Sequence, residues 1–304
     1  MGRGLITVES VSLGSSEGNA VVEIEIGSQR FRLIRDGTDG DVDEAEKLIK
    51  KLEGVSAIGI GGIDAYLQCG NKKYISRQGM RLLKARDDIY VGDGSKLKDS
   101  LERECIRNLA RDPRFNLKGM NVLMVSGLDR PGMSEELIKA GCNVMFGDLM
   151  FALDINIAIR SVRMLAFFAQ LLMPIVSRLP HSMIYPTGKQ QDLPPVPKFG
   201  KHYAAADIIA GDFHFIKKHL PNRLDGKMII TNTVRTHHLE MLRSRGLQWL
   251  VTTTPSIGGQ SFGTNLLEAA LVTQVKKPWQ EVESRDFLDL IQELHLQPRI
   301  EQLN

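Results

Sequence analysis

Alternation of apolar and polar residues with a period of two marks the start of the chain. Val21-Val-Glu-Ile-Glu-Ile26, then Gly27-Ser28, then Arg30-Phe-Arg-Leu-Ile-Arg35 reads as strand, turn, strand, because successive side chains of a strand face opposite sides. After the turn-rich Asp36-Gly-Thr-Asp-Gly-Asp41 the period changes. Ala45, Leu48, Ile49 and Leu52 recur at helical spacing from Val42 onward, and the apolar run Val55 to Ile60 then predicts a buried strand. Gly61-Gly62 and Gly70-Asn71 set off Ala65-Tyr-Leu-Gln-Cys69 and Lys73-Tyr-Ile-Ser76 as a short hairpin. Ile89-Tyr-Val91 forms a further strand and leads into Gly92-Asp-Gly-Ser95. Ser95 is placed to cap a helix from Lys96 to about Ala110 that stops at Asp112-Pro113, since proline disfavours helix at the residue before it.

From Lys118 the rhythm becomes strand, helix, strand, helix, which requires a parallel sheet with helices on its faces. The expected strands are Asn121–Ser126, Asn143–Phe146, Met183–Tyr185, Asp207–Ala210, Lys227–Asn232 and Trp249–Thr253. Helices are expected at Gly132–Ala140, Asn156–Val176, Thr236–Arg245 and Gly263–Val275, and the proline-rich 186–200 as a loop or lid. The fold class is therefore α/β: a Rossmann-like parallel-sheet domain, residues 118–278, preceded by a smaller mixed α/β domain on the substrate side, residues 1–112. A C-terminal helical tail, 279–304, follows.

Composition narrows the function classes. With 304 residues, two domains and a cleft between them are expected. Lys and Arg (39) exceed Asp and Glu (36) by only three, interleaved along the chain, which gives no reason to expect nucleic acid as a partner. Cys69, Cys105 and Cys142 are far apart and match no metal-ligand spacing, so no metal is expected and a reduced, cytoplasmic setting fits. The start of the chain has no secretory pattern, and the apolar run Met164 to Val176 is too short to span a bilayer, so stable membrane insertion is not expected. A small-molecule substrate is the expected partner, and a homo-oligomer stays open.

In an open parallel sheet, ligands bind beyond the carboxyl ends of the strands. There the first strand of the second domain ends in Ser126-Gly-Leu-Asp-Arg-Pro-Gly132, where Gly127 and Gly132 would let a pyrophosphate approach a helix N-terminus, although the spacing is not GxGxxG. Asp148, some twenty residues on, is placed to accept hydrogen bonds from a ribose, which favours NAD slightly over NADP. Asp212, Asn232, Thr233 and Thr253 end the later strands on the same rim, and His214 follows one of them directly. Capping and turn chemistry would explain each alone. In the first domain, Gly37-Thr-Asp-Gly-Asp41, Gly59-Ile-Gly-Gly-Ile-Asp64 and Gly92-Asp-Gly-Ser-Lys-Leu-Lys98 are the loops expected to face substrate. Lys96 beside Asp93 could hold a hydroxyl and move a proton, or be a solvated helix residue.

Gly37-Thr-Asp-Gly-Asp41, Gly59-Ile-Gly-Gly-Ile-Asp64, Asp93-Gly-Ser95, Gly147-Asp148, Ile209-Ala-Gly-Asp-Phe-His-Phe-Ile-Lys-Lys218, Thr231-Asn-Thr-Val234, Thr252-Thr-Thr-Pro255 and Ser261-Phe-Gly-Thr-Asn265 together resemble a bacterial family labelled quinate 5-dehydrogenase, over nearly the whole chain. The resemblance implies NAD(P)-linked oxidation of a cyclic polyol acid and a distant likeness to shikimate and quinate dehydrogenases. Those enzymes use a Lys–Asp pair on an Asn-Val-Thr-x-Pro-x-Lys loop and a later Asn-Thr-Asp-Gly loop. Neither loop is properly matched. Gly37-Thr-Asp-Gly40 resembles the second but precedes any candidate lysine, and Gly92-Asp-Gly-Ser-Lys96 resembles the first only loosely. Lys96 and Asp39 are accordingly the expected proton-moving pair of an NAD(P)-dependent oxidoreductase acting on a hydroxylated carboxylate. A non-catalytic nucleotide- or metabolite-binding protein and a non-redox transferase are the alternatives.

Overall fold

The computed structural model describes residues 4–69, 72–176, 185–257 and 260–304. The first lobe contains β1 (Ile6–Ser12), the hairpin β2 (Ala20–Ile26) and β3 (Gln29–Gly37), α1 (Val42–Lys51) and β4 (Ala57–Gly61). The short hairpin β5 (Tyr66–Cys69) and β6 (Lys72–Ile75), α2 (Arg77–Leu83), β7 (Tyr90–Gly92) and α3 (Ser95–Arg111) follow. The strand order is β2-β3-β1-β4-β7, parallel throughout except for β2. α3 starts one residue earlier than expected, at Ser95, with Gly94 in the left-handed region (φ 84°) as its cap residue.

The second lobe runs β8 (Asn121–Met124), α4 (Pro131–Lys139), β9 (Asn143–Phe146), α5 (Asp148–Leu153), α6 (Val162–Val176), α7 (Gly200–Ala205), β10 (Ile208–Ala210) and α8 (Phe213–Lys218). It continues with β11 (Met228–Thr231), α9 (Thr236–Ser244), β12 (Trp249–Ile257), β13 (Gln260–Ser261), α10 (Thr264–Val272), α11 (Ser284–Glu293) and β14 (Pro298–Gln302). Its parallel core is β9-β8-β10-β11-β12, with β13 and β14 antiparallel to β12. The molecule is thus α/β with two mostly parallel sheets. Most of the expected strand Met183–Tyr185 lies outside the described residues, and Asn156–Val176 becomes a helix only from Val162.

Two expectations for the C-terminal third change. The rhythm of the chain assigns α10 to the second sheet, but Leu266, Leu267, Ala270 and Leu271 pack with Val8, Phe31, Leu33 and Ala57 of the first. Nothing in a mostly apolar helix selects between two apolar sheets; the crossing is fixed by close approach, since a Cβ on Gly59 of β4 would stand 2.6 Å from the Asn265 carbonyl oxygen. The tail is also not all helical: after α11, β14 returns to β12 of the second sheet. α3 joins the two cores, with Leu97 and Leu101 in the first and Cys105, Ile106 and Leu109 in the second.

Candidate functional site

The carboxyl ends of the two parallel sheets face one another across a cleft of about 890 Å³, within the range of about 300–1,000 Å³ usual for metabolite sites. Each sheet reverses strand order at its first strand, β1 or β8, where an open α/β sheet leaves a crevice.

Two loops and one helix build the floor. Gly62 (φ 75°) turns the chain after β4 and brings out Asp64. Asp93, after β7, accepts the Ala65 backbone N–H at 2.8 Å and the Ser95 N–H at 3.0 Å, which ties that loop to the start of α3. Lys98 on the first turns of α3 then lies between carboxylates of opposite lobes: its Nζ is 2.7 Å from Asp64 Oδ2 and 2.8 Å from Asp129 Oδ1. The two carboxyl groups share this ammonium and act on each other, which pushes their proton affinities apart. Burial is the main cause that raises Asp64 to about 7, helped by Asp129 and Asp93 against Lys98. Burial pulls Asp129 upward too, but Lys98 and Arg130 outweigh it and hold it well below the usual range. For Lys98, the two carboxylates more than offset burial and keep the ammonium charged.

One turn along α3, buried Glu102 pairs with Arg130 Nη1, and Arg130 Nη2 reaches Asp212 Oδ2 at 3.1 Å. Asp212 has four donors: Arg130, Tyr185 Oη at 2.7 Å, the His214 N–H at 2.8 Å and Asn232 Nδ2 at 3.0 Å. Its own N–H donates to Ser126 Oγ at 3.2 Å. The rim residues Ser126, Gly127, Asp148, Asp212, Asn232 and Thr233 do line this cleft. Asp212 and Asn232 are spent on each other, however, and Thr233 Oγ1 donates to the Phe262 carbonyl at 3.1 Å. Thr253 is buried within β12 and is not among the lining residues.

Lys96 and Asp39 do not form a pair. Lys96 Nζ donates to the Val282 carbonyl at 2.7 Å, while Asp39 accepts from Ser16 Oγ at 2.8 Å and the Ser16 N–H at 2.9 Å. They follow β7 and β3, which β1 and β4 separate, a distance of about 14 Å at ordinary strand spacing.

The glycine turn does not fit a pyrophosphate. The N–H groups of Gly127 and Leu128, which would face the phosphates, donate to Asp148 at 3.1 and 2.8 Å, so the carboxylate expected on a ribose fastens the turn instead. Burial raises Asp148 to about 6 against those two bonds. Gly132 faces α3: a Cβ there would stand 2.5 Å from Asp99 Oδ1, so its lack of a side chain serves helix packing. Asp129 adds negative charge beside the turn.

Missed in the sequence are Lys98, Asp64, Asp129 and Arg130, although each stands in, or one helical turn after, a loop that the polar strand ends mark. Missed entirely are Arg35 on β3 and Arg235 before α9. A Cβ on Gly18 would be 2.8 Å from Arg35 Nη1 and 2.6 Å from Arg235 Nη2, so guanidinium groups of opposite lobes converge on one point of the cleft wall. Arg35 is lowered to about 10, by burial first and Arg235 second. Among the described residues no group of His, Cys, Asp and Glu suits a metal ion, and no helix is long and apolar enough to cross a membrane.

Residues 96–303 match the model of a family described as a domain of unknown function (DUF8754), and residues 7–93 match another described as a domain of unknown function (DUF8753). The two matches meet at the turn that opens α3. None of the curated proteins matches the chain. Among solved structures, it is similar to a sugar ABC transport substrate-binding protein from Bordetella parapertussis 12822, with 11% identity, 97% of this chain and 82% of that one covered and a TM-score of 0.36. It is also similar to a galactofuranose binding protein, with 10% identity, 98% and 95% covered and a TM-score of 0.38. A third, one of the subunits of dipicolinate synthase from Bacillus halodurans, has 10% identity, 91% and 99% covered and a TM-score of 0.30. Likenesses at this level say nothing of ligand or activity.

Proposed function

The chain belongs to the DUF8754 family, whose description carries no activity, and we propose that it binds a small hydroxylated carboxylate in the interlobe cleft and moves a proton at one of its hydroxyls. The observation that carries this reading is Lys98 held by Asp64 and Asp129, one acid from each lobe. A hydroxyl that enters between Asp64 and Lys98 meets an ammonium that donates to its oxygen and a carboxyl that exchanges its proton. Burial pushes Asp64 up toward neutral pH, where a general acid–base group works best. A cyclic polyol acid, the substrate class implied by the sequence resemblance, has the required groups. The expected dehydrogenase chemistry would need a hydride acceptor, and the glycine turn offers no phosphate cradle for a dinucleotide.

Calorimetric titration of the full chain with quinate and other polyol carboxylates tests this. Binding is expected to take up or release a proton with a midpoint near pH 7, read from the dependence of the heat on buffer. Asp64→Asn should remove that linkage and keep the fold. Failure of the whole panel to bind, or a linkage unchanged in Asp64→Asn, would overturn the assignment.

A further inference from the structure

Helix α9 breaks a local electrostatic rule at its start. The first turn of a helix has free N–H groups and the positive end of the dipole, so acidic residues stabilise it there and basic ones do not. Here Arg235 is the cap residue, His237 and His238 follow, no acid occupies the first turn, and no side chain caps it. Such a conflict without local compensation is expected where a site demands it.

The surroundings sharpen the conflict. His238 lines the cleft, is 3% exposed, and neither ring nitrogen has a hydrogen-bond partner; buried Nδ1 of His214, also on the cleft wall, has none either. Burial is the largest cause that lowers His238 to about 2, followed by the basic groups His237, Lys217, His214 and Arg235. Arg35 converges on Arg235 from the opposite lobe. Acids are near but few: Asp36, Asp39 and Asp192 act on Arg35, Asp39 accepts from Ser16, and Asp192 lies 3.4 Å from Arg235. Two guanidinium groups, a helix N-terminus and unpartnered imidazoles thus face one wall of the cleft.

We infer that this wall is an oxyanion subsite, in which Arg35 and Arg235 clamp a carboxylate or phosphoryl group of the ligand from the two lobes while His238, His214 and the first turn of α9 complete its shell. The inference rests on the reading that the ligand lies in the cleft; it needs no proton transfer at Asp64. The position sets the ligand's size. Arg35 stands on β3 and Asp64 follows β4, two strands apart, and Asp129 and Arg235 follow β8 and β11, also two apart. The anionic and hydroxyl ends therefore lie about 10 Å apart at ordinary strand spacing. A compact metabolite with its acid at one end and hydroxyls at the other spans that gap.

The test is an NMR titration of histidine-labelled full-length protein with inorganic phosphate and, separately, acetate, against chloride of equal ionic strength. A saturable shift of the His238 ring resonances and a rise of its titration midpoint are expected, because an anion reverses the cationic field. Saturation by phosphate alone assigns the group to a phosphoryl, and saturation by acetate assigns it to a carboxylate. Arg35→Met and Arg235→Met should each weaken the effect about tenfold or more, the usual worth of a charge-assisted contact. Asp64→Asn should leave it intact, so loss of the proton linkage and loss of this subsite are separate results. His238 resonances that respond to phosphate and acetate no more than to chloride would overturn the inference.

Discussion

Glu268, 1% exposed on α10, serves a helix to which it does not belong. Its Oε1 accepts from Tyr90 Oη at 2.8 Å and the Gly94 N–H at 3.2 Å, and its Oε2 accepts from the Leu97 N–H at 2.8 Å. Burial, more than Asp93, raises it from 4.5 to about 7 despite these bonds. Between those values the folded state keeps a proton that the unfolded state has lost, so this group lowers stability as pH rises through that window. Glu268→Gln should strand the Leu97 N–H and cost about 1–3 kcal/mol in mild acid. The deficit should shrink by about 2–3 kcal/mol as pH rises toward 7. Denaturant unfolding of both proteins across that range checks it, and a constant deficit would contradict the burial argument. The same scale explains which site residues could be read from the sequence. Lys96 and Lys98 stand in one loop-to-helix segment, and two positions on a helix rotate a side chain by about 200°. One ammonium therefore meets the Val282 carbonyl and the other the cleft, a choice made by the direction of α3 and invisible in the residue types.

Helix α10 shows the limit at the scale of elements. Its sequence, Thr264-Asn-Leu-Leu-Glu-Ala-Ala-Leu-Val272, announces a buried helix and the strands announce parallel sheets, but which sheet it covers is written in glycines of the first lobe. Gly59 and Gly94 leave room for the backbone of Asn265, with ideal Cβ positions 2.6 Å from its carbonyl oxygen and 2.7 Å from its nitrogen. Asn265 Nδ2 also donates to Ser10 Oγ on β1 at 2.6 Å. Gly59→Ala would set a methyl against backbone that cannot rotate away, so α10 must lift from β4. A loss of about 1–3 kcal/mol is expected, the usual cost of overpacking. Gly200→Ala, where nothing lies within 4 Å, should change stability little. Equal melting temperatures for the two variants would mean that α10 is free to move. The strands themselves are legible because period-two and continuous apolar runs record burial directly; α5, α7 and α8, six residues each, are too short to leave a helical period.

The whole molecule is tied by three crossings between its lobes: α3 leaves the first, the chain returns to it at α10, and β14 goes back to the second. One face of the first sheet is covered by α1 and α2, as Ala45, Ile49 and Leu82 pack with Val11, Ile58 and Ile60. The other face depends on residues from the far end of the chain, with Leu266, Ala270 and Phe287 against Val8, Phe31 and Ala57. A contiguous segment 1–112, the first domain expected from the rhythm of the sequence, therefore contains the strands of one lobe but only part of its core. Removing α10 and α11 exposes that apolar face, and burial of such surface at about 25 cal/mol per Å² is the main term that offsets the ordering of the chain. The fragment 1–112 should be expressed without a cooperative thermal transition and should bind a hydrophobic dye. The same fragment with residues 260–296 joined by a flexible linker should regain a cooperative transition, and the intact chain should unfold in one step, because neither core is complete without the other's segment. Circular dichroism melts of the three proteins decide the matter: a sharp, reversible transition in 1–112 alone would show that the first lobe folds independently and that α10 merely rests on it.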